Sequence, residues 1–230
     1  MKNRIKYILL SVLSLILFVS CLSNYEDSGL YGKTISVIGD SYVANHEDLI
    51  SDTWHYKLAL KYDMHYYNFG INGNGLVTDE ATGPSVLSRY NEIPKESSYI
   101  LVIGGKNDHR LQVPLDVFTS GLVTLCESLK SDYPDSIIIF FTPWHLEGDA
   151  NLIPLDEYSK AIVKVCANYN IPVFDNSTSE VINVNSPQFR KEYMQSENDI
   201  SHLNPKGHDL FLPVAERFIL SLKSSEAGPR

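Results

Sequence analysis

The chain holds only three cysteines in 230 residues, with no Cys-x-x-Cys pair and no zinc-ligand spacing, so neither a zinc ribbon nor a dithiol redox motif is present. No basic tract offsets the acid: 19 Lys and Arg stand against 28 Asp and Glu, a formal charge of −9, which argues against a nucleic-acid surface. An acidic balance favours solubility and gives no attraction to anionic lipid. No apolar run reaches the roughly 18 residues that a membrane span needs. Internal repeats and low-complexity segments are also missing beyond residue 32, so that part of the chain reads as one domain with a sizeable core.

The N-terminus opens with a positive cluster, Lys2, Arg4 and Lys6, and then an uncharged apolar stretch from Tyr7 to Ser20. That combination reads as a secretory signal over residues 1–20. Leu17-Phe18-Val19-Ser20-Cys21 then resembles the lipobox of bacterial lipoproteins, with Phe18 where leucine is usual and Leu17 one place early. The resemblance implies lipidation of Cys21, export, and attachment to the membrane of the cell envelope through that anchor alone. Residues 21–32 form a short tether, 33–223 the domain, and 224–230 a tail. Loss of the signal takes the formal charge to −12. Cys126 and Cys166 sit in helical patterns and read as buried thiols that pack as small apolar residues.

Short apolar runs alternate with amphipathic stretches through the domain. Strands are expected at 34–38, 65–69, 99–103, 137–141 and 172–174, and helices at 49–62, 115–129, 155–169 and 207–222. Within the first helix Leu49, Trp54, Leu58 and Leu60 are the candidate inward positions. Strands separated by helix-length segments indicate βαβ units and a parallel sheet covered on both faces. The segment from Ser177 to Asp199 shows no clear element. In such sheets the ligand crevice lies beyond the carboxyl ends of the strands.

The strand ends carry chemistry. The first runs into Gly39-Asp40-Ser41, the second into "NFGINGNG" from Asn68 to Gly75, the third into "GGKNDHR" from Gly104, the fourth into "TPWHLEGD" from Thr142. "NDISHLNPKGHD", Asn198 to Asp209, precedes the last helix. A serine hydroxyl is a weak nucleophile until a base takes its proton, and an imidazole held by a carboxylate is suited to that at neutral pH. Asp199 lies three residues before His202, within reach of its ring. A glycine N–H and the Asn107 carboxamide are donors for an oxyanion, each such donor lowering a barrier by about 3 to 4 kcal/mol.

Gly39-Asp40-Ser41, Gly73, Gly105-Lys106-Asn107-Asp108 and Asp199-Ile200-Ser201-His202, in this order, resemble the four blocks of the SGNH hydrolases, also called GDSL-type esterases and lipases. Tyr42 stands where the family name has leucine. Gly70, Gly73 and Gly75 compete for the second block, and Gly73 fits its small-residue, Gly, polar-residue run best. The resemblance covers essentially the whole domain. It implies a three-layer α/β/α, flavodoxin-like fold with a five-stranded parallel sheet, and ester hydrolysis without metal or cofactor. Ser41 would be the nucleophile, His202 the base, Asp199 its partner, and Gly73 with Asn107 the oxyanion donors. Short loops and no long apolar lid point to small acyl groups, such as acetyl on extracellular glycans. A lysophospholipase, a thioesterase, or a glycan-binding lipoprotein without catalysis are the alternatives.

Plainer readings exist for several of these residues. Ser41 suits a helix N-cap, Asp40 and Asp108 suit turns, and Asp199 and His202 suit caps before the last helix. His208 and Asp209 form a rival pair inside that helix. His202 and His208 are six residues apart, a spacing that does not bring two zinc ligands onto one helical face. His109, Arg110, Trp144 and His145 stand at strand ends as candidate pocket walls, Trp144 either as an exposed platform for a sugar ring or as packing.

Overall fold

The first strand, β1 (Thr34–Gly39), alternates its side chains between two cores. Ile35 and Val37 point to one, Ile38 to the other. The structure, a computed structural model describing residues 28–148 and 151–226, places β1 between β2 (His65–Gly70) and β3 (Tyr99–Ile103). Beyond β3 come β4 (Ile137–Phe141) and β5 (Val173–Phe174), and every pairing is parallel. Val37 lies opposite Asn68 on one side and Leu101 on the other. The order β2-β1-β3-β4-β5 is that of flavodoxin-like sheets, whose switch point falls between the first and third strands. The export segment over residues 1–20, Cys21 and the end of the tail lie outside the described residues.

Helices cover both faces. α2 (Trp54–Lys61) and α8 (Pro205–Glu226) bury Trp54, Leu58, Phe211, Ala215 and Ile219 against Leu101, Ile103, Ile139 and Phe141. On the opposite face α3 (Val86–Arg89), α5 (Leu115–Asp132) and α6 (Leu155–Asn168) pack Val86, Phe118, Leu122, Leu125 and Ile162 on Ile100, Val102, Ile138 and Phe140. Two short helices, α1 (Ser41–Ala44) and α4 (Lys106–Arg110), leave β1 and β3 directly. Cys126 and Cys166 are buried free thiols, with their sulfurs 3.9 Å apart between α5 and α6. No helix among the described residues is long and apolar enough to cross a membrane.

Two expectations need correction. The helix predicted from residue 49 starts at Trp54, because Thr53 caps it by accepting the Tyr56 N–H at 3.3 Å. Ile50–Asp52 form a separate 3₁₀ turn. That phase buries Trp54 and Leu58 and turns Leu49 and Leu60 outward, at 70% and 72% exposure. The segment read as featureless between 177 and 199 contains α7 (Pro187–Tyr193). Its signal was Ser186-Pro187: the serine accepts the Phe189 N–H, and proline occupies the first turn where no N–H is needed.

Two buried histidines give the fold a pH dependence. His55 meets Thr53 Oγ1 at 3.1 Å and the Tyr66 hydroxyl at 2.8 Å. His208 bonds Asn45 Oδ1 at 2.9 Å through Nε2, and its Nδ1 accepts the Trp54 N–H at 3.3 Å. Burial pushes both rings down to about 3, the charge of His208 adding to the effect on His55 and that of Lys57 to the effect on His208. Unfolded histidines take protons near pH 6.5. Below that pH the unfolded chain therefore binds two more protons than the native one, which lowers stability. Asp40 opposes this, since its carboxyl is pushed up to about 7, mainly by burial, and takes a proton in the native state first. These three groups together leave a difference of one proton between about pH 4 and 6.5, and contribute a loss of about 1.4 kcal/mol per pH unit of acidification. Urea unfolding midpoints measured from pH 6.5 to 4 are expected to fall accordingly. His55→Asn, which removes one of the two titrations, is expected to reduce the slope by about 1.4 kcal/mol per pH unit. An unchanged slope would refute the assignment.

Candidate active site

The switch point brings together segments that are distant in sequence. At the end of β1 the chain turns through Asp40, whose Oδ1 accepts the Tyr42 N–H at 2.9 Å and caps α1. Ser41, the first residue of α1, meets His202 Nε2 through its Oγ at 2.9 Å. His202 Nδ1 lies 2.9 Å from Asp199 Oδ2. A carboxylate only accepts, so Nδ1 carries the proton and Nε2 is left to accept from the serine hydroxyl. The other Asp199 oxygen accepts the Ser201 and His202 N–H groups at 2.7 and 2.9 Å. Burial alone would raise the Asp199 carboxyl, but the His202 ring and these backbone donors outweigh it and hold it below its ordinary value.

The loop carrying Asp199 and His202 is fastened by its middle carbonyl. Ile200 O accepts from Trp144 Nε1 at 3.1 Å and from Lys106 Nζ at 3.2 Å. Trp144 is buried and packs on Tyr42 with ring centroids 4.3 Å apart, so it is no exposed platform. Burial pushes the Lys106 ammonium down to about 8 against the favourable charges of Asp199 and Asp40. After His202 the chain pairs with the end of α7: Gln195 N–H donates to His202 O, and Asn204 N–H to Tyr193 O, both at 2.9 Å. Asn204 Oδ1 then accepts the Gly207 N–H at 3.0 Å at the start of α8.

Asn107 sits at the start of α4. Its Nδ2 donates to Asn74 O at 3.0 Å and Asp40 Oδ2 at 3.2 Å, while its Oδ1 accepts from Arg110 Nε at 3.3 Å. Arg110 is itself held by both Glu80 oxygens, at 2.6 and 2.7 Å. These partners fix which end of the amide faces which neighbour. Asp108, read from sequence as turn chemistry, instead reaches across to the loop after β2 and accepts the Leu76 and Val77 N–H groups at 2.7 and 3.1 Å. Burial raises its carboxyl against those two donors.

The three competing glycines part here. A Cβ at Gly70 would meet the Ala44 backbone at 2.3 Å, and one at Gly75 would meet Asp108 Oδ1 at 2.8 Å, so both are small for packing. Gly73 adopts φ +84° and lines an open groove of about 620 Å³ together with Ser41, Lys106, Asn107, Arg110 and His202. His109 shares that groove. His145 does not; it pairs with Asp156 at 2.8 Å. His208 is buried on Asn45, and Asp209 pairs with Lys57 on the surface. One supporting residue had no sequence signal. Arg89, buried in α3, donates to Gly39 O at 2.8 Å and Phe69 O at 2.6 Å and so ties the ends of β1 and β2 together.

Residues 37–210 match the GDSL-like lipase/acylhydrolase family. Comparison with curated proteins finds no match. Among solved structures, a Lactobacillus plantarum protein is similar at 23% identity and a TM-score of 0.71, over 85% of this chain and 98% of its own. A psychrotrophic esterase from Pseudoalteromonas sp. is similar at 16% identity and TM-score 0.66, over 84% and 99%. A family two carbohydrate esterase from Clostridium thermocellum is similar at 14% identity and TM-score 0.61, over 82% and 63%. At these identities the structures share the fold.

Removing the Asp108 carboxylate would leave two N–H groups of the Gly73 loop without their acceptor. Asp108→Ala is expected to lower stability by about 2 to 4 kcal/mol, read as a reduced urea midpoint with an unchanged m value. A midpoint equal to wild type would show that the loop is held by other contacts.

Proposed function

Because the chain belongs to the GDSL-like lipase/acylhydrolase family, and is a carboxylic ester hydrolase, we propose that it removes small acyl groups from carbohydrate alcohols through Ser41, His202 and Asp199. The observation that carries this reading is the continuous chain Asp199–His202–Ser41, with 2.9 Å at each side-chain link.

Ser41 Oγ attacks the ester carbonyl carbon while His202 Nε2 takes its proton. Asp199 keeps the imidazole in the required tautomer and offsets the charge of the imidazolium. The oxyanion is received by the Ser41 and Gly73 backbone N–H groups and by Asn107 Nδ2, which gives up sharing its hydrogens with Asn74 O and Asp40. The two backbone donors are fixed by the chain and need little reorganisation as charge develops, whereas Asn107 has to release a bond. His202 then protonates the departing alcohol and afterwards draws a proton from water, which attacks the acyl-serine and releases the acid. None of these steps draws on a metal or cofactor.

The spaces reaching Ser41 support a short acyl group. They include the open groove, with Leu146 and Leu152 in its wall, and a small, partly enclosed cavity of about 20 Å³ beside Trp144 and Leu203. The small cavity admits only a small group. A glycan alcohol suits a groove open to solvent, and a carbohydrate esterase shares the fold. The signal-like N-terminus and Cys21 support export and a lipid anchor at the cell envelope.

Hydrolysis of p-nitrophenyl esters from acetate to palmitate tests the reading. Wild type is expected to favour acetate, with turnover falling as the chain lengthens. Ser41→Ala and His202→Ala are each expected to lower kcat by about 10³-fold or more with the fold intact by circular dichroism, and Asn107→Ala by about 10²-fold. Full turnover in the serine or histidine variant would refute the triad. A preference for palmitate would keep the triad and replace the small-acyl substrate by a lipid one.

A further inference from the structure

His202 is held at both nitrogens, and one of its faces is covered as well. The ring of His46 lies over it with centroids 4.1 Å apart and planes 14° from parallel. The backbone reaches that position through two successive left-handed residues, Asn45 at φ 64° and His46 at φ 50°. Asn45 tolerates that backbone, whereas for His46 it costs about 1 to 2 kcal/mol, so the arrangement persists only where surroundings enforce it.

The enforcement comes from several directions. Asn45 N–H donates to Ser41 O at 2.9 Å, and its carboxamide donates to Leu49 O at 2.7 Å and bonds the buried His208 ring at 2.9 Å. Gln195, from the segment after α7, donates to Asn45 O at 3.0 Å, and Asn72, from the loop after β2, donates to His46 O at 3.3 Å. A strained turn is thus tied from three other parts of the fold, and what it presents is a ring that remains partly open to solvent.

We propose that His46 is a positioning residue that holds the His202 imidazole in plane with Ser41 and supports it when it becomes imidazolium. The proposal rests on His202 being the base. The nitrogen bonds to Asp199 and Ser41 restrain the edge of the ring, whereas a stacked neighbour restrains its tilt. Once Ser41 is acylated the Oγ–Nε2 bond is gone. Asp199 and the His46 face are then what keep His202 over the acyl group while it draws a proton from water. The contribution of His46 therefore falls most on deacylation. A neutral ring face also attracts an imidazolium, whereas a charged His46 would repel it. The other charged groups facing the pair are Asp199 on the same loop as His202, Asp40 at the end of β1, Lys106 on α4, and Glu47, whose Oε1 lies 4.0 Å from His46 Nε2. The acids favour the imidazolium and Lys106 opposes it.

Two variants separate the ring from the turn. His46→Asn keeps a residue that tolerates the left-handed backbone and removes the stack. His46→Phe keeps a ring that takes no charge. With p-nitrophenyl acetate, His46→Asn is expected to lower kcat and KM together, each about tenfold, to leave kcat/KM within about threefold, and to show a burst of p-nitrophenol from accumulated acyl-enzyme. His46→Phe, which keeps a ring over His202, is expected to restore kcat to within about threefold of wild type and to abolish the burst. Wild-type kcat without a burst in His46→Asn would overturn the proposal. So would equal impairment of both variants, which would place the effect in the turn. The NMR shifts of the His202 ring protons, assigned with His202→Gln, give a readout free of turnover: loss of the stacked ring is expected to move them in His46→Asn, and unchanged shifts refute the contact. Absence of ester turnover in wild type would instead count against the esterase reading, with the ring-proton shifts still deciding the contact.

Discussion

The carbonyl oxygen of Ile200 carries the weight of the site. It lies between Asp199 and His202 and accepts from an indole N–H on the strand end after β4 and from an ammonium on α4. Neither donor touches Ser41 through a hydrogen bond, yet together they determine where the imidazole stands. A loop of four residues has too few contacts of its own to hold a ring within a few tenths of an ångström of a partner. Two donors on one carbonyl, one neutral and one charged, supply a restraint from elements that the sheet already holds rigid. The local bonds from Asp199 to the Ser201 and His202 N–H groups then set the shape of the loop, while the Ile200 bonds set its place.

Beneath that loop the strand ends are joined by buried polar groups rather than by apolar packing. Arg89 spans the carbonyls of Gly39 and Phe69, and Asp108 spans two N–H groups of the next loop. Asp40 links the start of α1 to the Asn107 carboxamide. Strand ends at a switch point leave unpaired carbonyls and amides, and each left buried without a partner would cost about 1 to 3 kcal/mol. Charged side chains satisfy several at once. The same groups depart from their ordinary protonation behaviour because burial disfavours their charge, which is how the floor of the site comes to be tied to the stability of the whole domain.

Much of this was legible in the sequence. The β-branched residues Ile35, Val37 and Ile38 and the apolar runs at 99–103 and 137–141 marked strands, and helix-length spacing between them marked a parallel sheet. The rule that ligands gather at the carboxyl ends pointed to Ser41, Asn107 and the Asp-x-x-His pair. Other features were hidden. Leu49 and Leu60 fitted an apolar pattern, but the phase of α2 depended on the Thr53 cap. Trp144 offered a sugar platform or packing, and the depth of the crevice decided for packing. Asp108 resembled a turn residue because its partners, Leu76 and Val77, lie in another loop. Arg89 and His46 had no motif at all, since each acts through backbone carbonyls or a ring face supplied by distant segments.

The sequence by itself determined the succession of strands and helices, the chemistry at the strand ends and the local Asp199–His202 pairing, because periodic burial and turn preferences are short-range properties that residue types express directly. Only the tertiary structure decided which glycine lines the groove, which ring covers His202, and that Ser41 meets a histidine 161 residues away at 2.9 Å. Those relations depend on the register of parallel strands and on side chains that find partners across the sheet's end. Such contacts arise between segments whose sequences carry no record of one another.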